Sequence, residues 1–391
     1  MKQQRILIAA VLAVWCMNGC AEKYSGQAAA ETAAAVVSIE QEEQSEIVID
    51  QENVVEETAE TAPAESVHLL FSGDVLLSNY VMNAYENAGG IHGVLDDGYR
   101  SLIDDADFFF VNEEFPFSDR GTQAPDKQYT FRLAPEKVSI LKEMGVDGVS
   151  LANNHALDFG IDALLDTCDT LDEAGIMRTG AGADLDEAKQ AAEVEIQGKK
   201  IAVIGATRVI PTAEWATHGD APGMLATYDP AILLKEIEAL DKTHDYVIVF
   251  VHWGIERSER PEDYQRNMGR QYIDAGADLV VGAHPHVLQG IEYYKGVPIV
   301  YSLGNFVFGS SIPETMLLEV ELPADSEREN VQTEGSDSAA ESVLLKVHPG
   351  TSNSGYTRML DDSQEKEKFY NYLESISYGV TFEDGNVTPQ P

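Results

Sequence analysis

Between Val67 and Phe308 the chain alternates short, largely apolar runs with intervals of helical periodicity, and this alternation constrains its fold more than any other feature. The runs cover residues 67–71, 108–111, 146–151, 201–205, 246–251, 279–281 and 299–301. Runs this short and this continuously apolar suit strands buried on both faces. The intervals predict helices. One spans 135–144, opened by Pro135 at a first helical position. In another, Ile161, Leu164, Leu165, Cys168 and Leu171 recur at helical spacing and stop near Gly175. Others are expected near 230–240 and 262–275. Strands alternating with helices imply an α/β architecture.

Beyond Phe308 the texture changes. Residues 316–322 and 343–347 predict two strands joined by a polar loop, and 364–376 predicts an amphipathic helix carrying Phe369, Tyr370, Tyr372 and Leu373. The tail, 379–391, carries no informative pattern. Ahead of Val67, residues 1–20 read as a bacterial export signal. Lys2 and Arg5 precede the apolar run 6–15, and Met17-Asn18-Gly19-Cys20 resembles a lipoprotein box in which Cys20 takes the lipid. An ordinary signal peptide or an uncleaved anchor is the alternative. Residues 21–66 are acidic and nearly free of aromatics, the composition of a disordered tether. These readings place the folded part, 67–378, outside the cytoplasm and at the membrane through its N-terminal anchor.

A formal net charge of −41 excludes the basic footprint that nucleic acid requires. The cysteines Cys16, Cys20 and Cys168 are too few for a disulfide framework. Cys168 falls on the apolar face of its helix, so it reads as a structural thiol.

The residues that follow the apolar runs carry the chemistry. They are Gly73-Asp74, Asn112-Glu113-Glu114, Asn153-Asn154-His155 with Asp158, His252-Trp253-Gly254 with Glu256, His284-Pro285-His286, and Gly304-Asn305. In an α/β sheet, sites form beyond the carboxyl ends of strands. Asp, Glu, Asn and His gathered there make an oxygen- and nitrogen-rich set suited to Mn, Fe or Zn. His284 and His286 stand one residue apart at a strand end. If that segment stays extended, both rings point the same way.

Six ordered motifs resemble the CapA family of bacterial poly-γ-glutamate capsule synthesis proteins. They are Gly73-Asp74, Asn112-x-Glu114-x-Pro116, Leu151-Ala152-Asn153-Asn154-His155-x-x-Asp158, His252-Trp253-Gly254-x-Glu256, Gly282-Ala283-His284-Pro285-His286 and Ser302-Leu303-Gly304-Asn305-Phe306. That family is similar in fold to the calcineurin-like metallophosphoesterases. The resemblance therefore implies a four-layer αββα sandwich holding two divalent metal ions. It implies Asp74 and His286 at the first ion, Glu114 bridging, and Asn154, His252 and His284 at the second. His155 matches the histidine that acts as general acid or contacts phosphate. Two departures from the phosphoesterases stand out: Leu76 where Asp-x-His is usual, and Glu114 where the bridge is usually Asp.

Individual residues also have plainer readings. Asp74 alone would be a turn or cap, and His252 alone a hydrogen-bonded structural histidine. Their places among the strand-end motifs favour ligands instead. Of the adjacent pair Glu113 and Glu114, one faces the site, and the motif selects Glu114. Asp158 is expected to orient a neighbour. Asn112, Asn153, Glu256 and Arg257 are candidate substrate contacts. Asn305 either contacts substrate or caps its turn. Arg257, Arg260 and Arg266 either receive a phosphate or carboxylate or form a solvated face among Glu256, Glu259 and Glu262. Expected partners are an anionic envelope polymer or a phosphorylated substrate, and a capsule-synthesis membrane complex. Three functions compete: a phosphoesterase, a non-catalytic component that binds, exports or anchors polymer, and a hydrolase of γ-glutamyl amide bonds.

Overall fold

The computed structural model describes residues 66–323 and 343–390. The export signal, Cys20, the acidic tether up to residue 65, the 324–342 loop and residue 391 lie outside the described residues. Two runs of β/α units make the frame. The first comprises β1 (Val67–Val75), α1 (Asn79–Ala88), α2 (Asp97–Asp105), β2 (Phe108–Glu113), α3 (Val138–Met144), β3 (Gly148–Ser150), α4 (Ile161–Ala174) and β4 (Met177–Thr179). The short strand β5 (Ala181–Gly182), helix α5 (Leu185–Ala188) and strand β6 (Ala192–Ile196) lead into the second run. That run comprises β7 (Lys199–Thr207), β8 (Gly223–Met224), α6 (Ala231–Leu240), β9 (Tyr246–His252), α7 (Asp263–Asp274) and β10 (Leu279–Ala283). Strands β11 (Leu288–Tyr294), β12 (Val297–Leu303), β13 (Asn305–Val307), β14 (Ser311–Leu322), β15 (Leu344–Asn353) and β16 (Tyr356–Met359) follow. Helix α8 (Ser363–Ile376) and the hairpin β17 (Val380–Glu383) and β18 (Asn386–Pro389) complete the chain.

Ten strands form one sheet, ordered β17-β18-β15-β14-β1-β2-β3-β4, with β13 also beside β1 and β16 beside β15. Six form a second, ordered β11-β12-β10-β9-β7-β6. Period-2 alternation explains how the sheets are covered. On β9, Tyr246, Ile248 and Phe250 enter a cluster shared with the other sheet, while Val247, Val249 and Val251 enter a cluster with α6 and α7. On β2, Phe108 and Phe110 join the shared cluster, while Phe109 and Val111 meet the faces of α2, α3 and α4. The layers therefore run helices, sheet, sheet, helices. Phe110 meets Phe250 across the central layer with ring centroids 5.2 Å apart. Each such fully buried side chain contributes about 1.5–3 kcal/mol.

The helices begin and end where their termini are satisfied. Asp96 caps α2 by accepting from Tyr99 N, Asp362 caps α8, and Glu262 with Gln265 forms a capping box for α7. The region after Gly379, on which the sequence is uninformative, is structured. It forms the hairpin β17/β18, whose Val380 and Val387 reach the central cluster beside Phe369, Leu373 and Ile376 of α8.

Candidate metal centre

The strand ends of both sheets meet at one place. Asp74 on β1 lies in register with Asn112 on β2 and with Asn305 on β13, so three polar residues sit abreast at one rim. Close backbone contact fixes that row. A Cβ on Gly73 would sit 1.8 Å from Gly304 O, and Asp74 N donates to the same carbonyl at 2.8 Å. Gly282 plays the same part in the second sheet, where a Cβ would meet Tyr301 O at 2.0 Å. Only glycine permits these approaches.

The two histidines after β10 reach the site by a different route from the expected one. The strand stops at Ala283, and His284 and His286 adopt φ of +102° and +59°. They are therefore not an extended i, i+2 pair. Two left-handed residues bring their ring centroids within 5.8 Å instead. Non-glycine residues held at positive φ store strain that the surroundings must impose.

Around this rim, Glu114 is central. Its Oε1 lies 3.8 Å from His252 Nε2 and its Oε2 lies 4.0 Å from His286 Nδ1. His252 Nε2 is 2.8 Å from Asn154 Oδ1, and the His252 and His284 rings are 4.7 Å apart. His286 Nδ1 lies 2.9 Å from Asn305 Oδ1 and 3.1 Å from Asp74 Oδ2. One N–H directed at Asn305 leaves Asp74 Oδ2 without a donor. Four buried atoms thus lack any hydrogen-bond partner here: Asp74 Oδ2, both Glu114 oxygens and His284 Nδ1. Buried polar atoms are almost always paired, so their convergence fits an ion. Two groupings are compact enough to hold one: Glu114 with His284 and His286, and Asp74 with Glu114 and His252. Glu114 belongs to both.

The electrostatics agree. Burial, followed by Asp74, pushes the Glu114 carboxyl well above the usual carboxylate range. Burial, reinforced by the neighbouring histidines, holds His252 well below its ordinary value and His284 down to about 4. Burial opposes charge on His286 too, but Glu114 and Asp74 outweigh it and push that ring up to about 10. Carboxylates gathered in a buried site draw in positive charge, and His286 supplies it.

Behind these atoms lies a second row. Asn112 donates to Asp74 Oδ1 at 2.8 Å, and Asn153 donates to Asn112 Oδ1 at 3.2 Å and to Glu113 O at 2.6 Å. Asn153 Oδ1 accepts from His155 N at 3.0 Å. Asn112 and Asn153, expected at the substrate, are fully buried; Asn112 holds the Asp74 carboxylate and Asn153 the backbone of Glu113 and His155. Asp158 faces His155 Nδ1 at 2.8 Å, which matches its expected orienting role. Burial, more than any neighbour, lowers the pKa of His155.

The remaining candidates scatter. Glu256 and Arg257 are exposed on the turn after β9, tied to the histidine loop by the Arg257 N–H to Pro285 O bond of 2.7 Å. Arg266 is not available to an anion, because it pairs with Glu292 beside Arg270. Leu76 is buried in the outer core. Glu113 is buried away from the cluster with both oxygens unpartnered. Cys168 is buried, and burial pushes its thiol up to about 12, as befits a structural residue.

Lys127 was not legible as a site residue. Its ammonium contacts Asn154 O and Asp158 Oδ1 and lies 3.0 Å from His155 Nδ1. It comes from an irregular segment between β2 and α3, without a periodic pattern to mark it.

Comparison with known proteins gives a consistent result. A sequence profile described as "Bacterial capsule synthesis protein PGA_cap" matches residues 68–310. The chain is 36% identical over 242 residues to the PGA biosynthesis protein CapA of Bacillus subtilis, covering 61% of this chain and 62% of that one. It is 32% identical over 269 residues to the capsule biosynthesis protein CapA of Bacillus anthracis, covering 65% and 64%. Each match thus spans less than two thirds of the relative's own length. Among solved structures, a phosphatase of Mycoplasma pneumoniae overlaps 79% of this chain and 99% of its own at a TM-score of 0.41 and 15% identity. Similarity that low carries no inference about chemistry.

Proposed function

The chain belongs to the bacterial capsule synthesis protein family PGA_cap, and on that footing we propose that it is a membrane-tethered, extracytoplasmic metallohydrolase of capsule metabolism. In this reading the fold is a four-layer sandwich of metallophosphoesterase type. It holds two divalent ions and hydrolyses a phosphoester in the handling of an anionic envelope polymer. The observation that carries the reading is the set of unpartnered buried atoms on Asp74, Glu114 and His284.

Asp74 and His286 would hold one ion, Asn154, His252 and His284 the other, with Glu114 shared. The two Glu114 oxygens face different histidines, which suits a shared ligand. Bound ions would supply positive charge to the oxygens of a phosphoryl group under attack. The protein's own contribution is orientation. His155 Nδ1 is engaged by Asp158, which leaves Nε2 to hand a proton to the departing oxygen. Asn112 and Asn153 keep Asp74 and the Asn154–His155 backbone in place.

Leu76 favours a second reading. A buried leucine stands where a phosphoesterase would place another histidine ligand, so polymer binding, export or anchoring without hydrolysis suits this chain as well. A panel of phosphomonoesters and phosphodiesters, run with Mn, Fe or Zn on the full chain, separates the two. The enzyme reading expects turnover that His284→Ala and His155→Ala abolish. Metal-free protein that binds poly-γ-glutamate undiminished, with no turnover of any ester, would refute it and support the second.

A further inference from the structure

Lys127 has no part in either scheme above, yet its nitrogen is engaged by the turn that carries Asn154 and His155. Its side chain is 14% exposed. Two acceptors face the ammonium, the carbonyl of Asn154 and Oδ1 of Asp158, and Nδ1 of His155, which Asp158 Oδ2 engages, lies 3.0 Å away. Both of these acceptors belong to a single five-residue turn, so two of the ammonium's three donor hydrogens are committed to it. The other Asp158 oxygen accepts from Phe131 N at 2.7 Å, and the Phe131 ring packs on His155 with centroids 4.6 Å apart. Trp215 lies against the ammonium from a third segment, 5.2 Å from ring centroid to Nζ. The segment carrying Lys127 and Phe131 therefore grips the turn that presents both Asn154 and His155.

We propose that Lys127 is a positioning residue that fixes the Asn154–Asp158 turn, setting Asn154 Oδ1 opposite His252 Nε2 and the aim of the His155 ring. This rests on the reading of Asn154 and His252 as metal ligands. The backbone carbonyl of Asn154 is pinned on one side while its side-chain oxygen sits 2.8 Å from His252 Nε2 on the other. The two constraints together leave the carboxamide little freedom. Groups of this kind, one step removed from the ion, change metal affinity about 10–100-fold when lost.

The sign of the effect separates this role from simple charge. Lys127 is a cation near a cation site, so if it acted only through its charge, its removal would tighten metal binding. If it positions Asn154, its removal weakens binding. Mn²⁺ titrated calorimetrically into the full chain gives the affinity, and the visible absorption of the Co²⁺-loaded protein gives ligand geometry. The expected result for Lys127→Met is affinity weakened about 10–100-fold, with an altered Co²⁺ spectrum and partial recovery in Lys127→Arg. Unchanged or tighter Mn²⁺ binding in Lys127→Met overturns the proposal while leaving the metal centre standing. Wild-type protein that binds no divalent ion overturns both. Removing Lys127 leaves the buried Asp158 without its cation, which threatens folding. Lys127→Met is therefore also compared with its parent in an Asp158→Asn background, where the same signs apply.

Discussion

Replacing Gly73 with alanine would drive a methyl group into the carbonyl of Gly304. The new Cβ would lie 1.8 Å from that oxygen, 2.9 Å from its carbon and 3.0 Å from the Leu303 carbon. Ordinary contact needs roughly 1.5 Å more than the first of these distances. All three atoms are backbone, so no side chain can swing aside, and β1 must move from the β12–β13 junction. Overpacking of this kind costs about 1–3 kcal/mol. The displaced Asp74 N–H to Gly304 O bond adds about 1 kcal/mol. Together these predict a loss of about 2–4 kcal/mol, a fall in melting temperature of roughly 3–6 °C for a domain of about 300 residues. The same shift carries Asp74 away from Glu114 and His286, so Mn²⁺ affinity should fall more than stability alone would explain. Gly309, where a Cβ meets nothing within 4 Å, is the control and should tolerate alanine. Differential scanning calorimetry and isothermal titration read both effects. A Gly73→Ala protein that melts with the wild type and binds Mn²⁺ equally well would refute the reasoning.

Three further expectations follow from the same geometry. Glu113 has both oxygens buried without partners, and burial raises its carboxyl well above the usual range; a raised carboxyl costs stability once pH exceeds its unfolded value. Glu113→Leu should therefore melt higher by about 1–3 kcal/mol in stability, and the gap should widen from pH 5 to pH 8. On the outer face of the large sheet, Glu319 lies between His348 Nε2 at 2.6 Å and His68 Nδ1 at 2.8 Å. His348, more than His68, depresses its carboxyl to about 2 against burial. That contribution is present above about pH 4.5 and lost as pH falls towards 2, so the stability difference between wild type and Glu319→Gln should close over that window in acid melts. Finally, His286 carries a proton at neutral pH, being pushed up to about 10, whereas His284 at about 4 does not. Metal uptake should release at least one proton at pH 7.5, seen as a dependence of calorimetric heat on buffer ionisation enthalpy; no dependence would refute a proton on His286 that the ion displaces.

The sequence disclosed the frame because its information is periodic. Residues 246–251 and 108–111 are apolar without break, and their shortness and β-branched and aromatic content between helical intervals suit strands covered on both faces. The residues of the buried cluster were legible because each comes at or just after the end of an apolar run, and strand ends converge. What stayed hidden is non-periodic. The β17/β18 hairpin is short, mostly polar and buries chiefly Val380 and Val387, too few positions to make a pattern. The left-handed turns at His284 and His286 are imposed by packing, so spacing pointed instead to an extended pair. Lys127 reaches its partners across 27 to 31 positions of irregular chain, where a lone lysine looks like any solvated one. That only one of Glu113 and Glu114 faces the site followed from their adjacency and the motif selected Glu114, but nothing foretold that Glu113 would be left unpartnered.

The site draws Asp74, Glu114 and Asn154 from one sheet or its loops and His252, His284 and His286 from the other. The central core between those sheets is apolar, and such contacts resist separation more than sliding, since dispersion and hydrophobic burial are weakly directional. Coordination is directional and tolerates only a few tenths of an ångström. An ion held across the rim would therefore act as a rivet, locking the shear coordinate of an otherwise slippery seam. Conversely, side chains that set the slide of one sheet over the other, such as Phe110 against Phe250, would tune ion affinity from within the core, without touching a ligand.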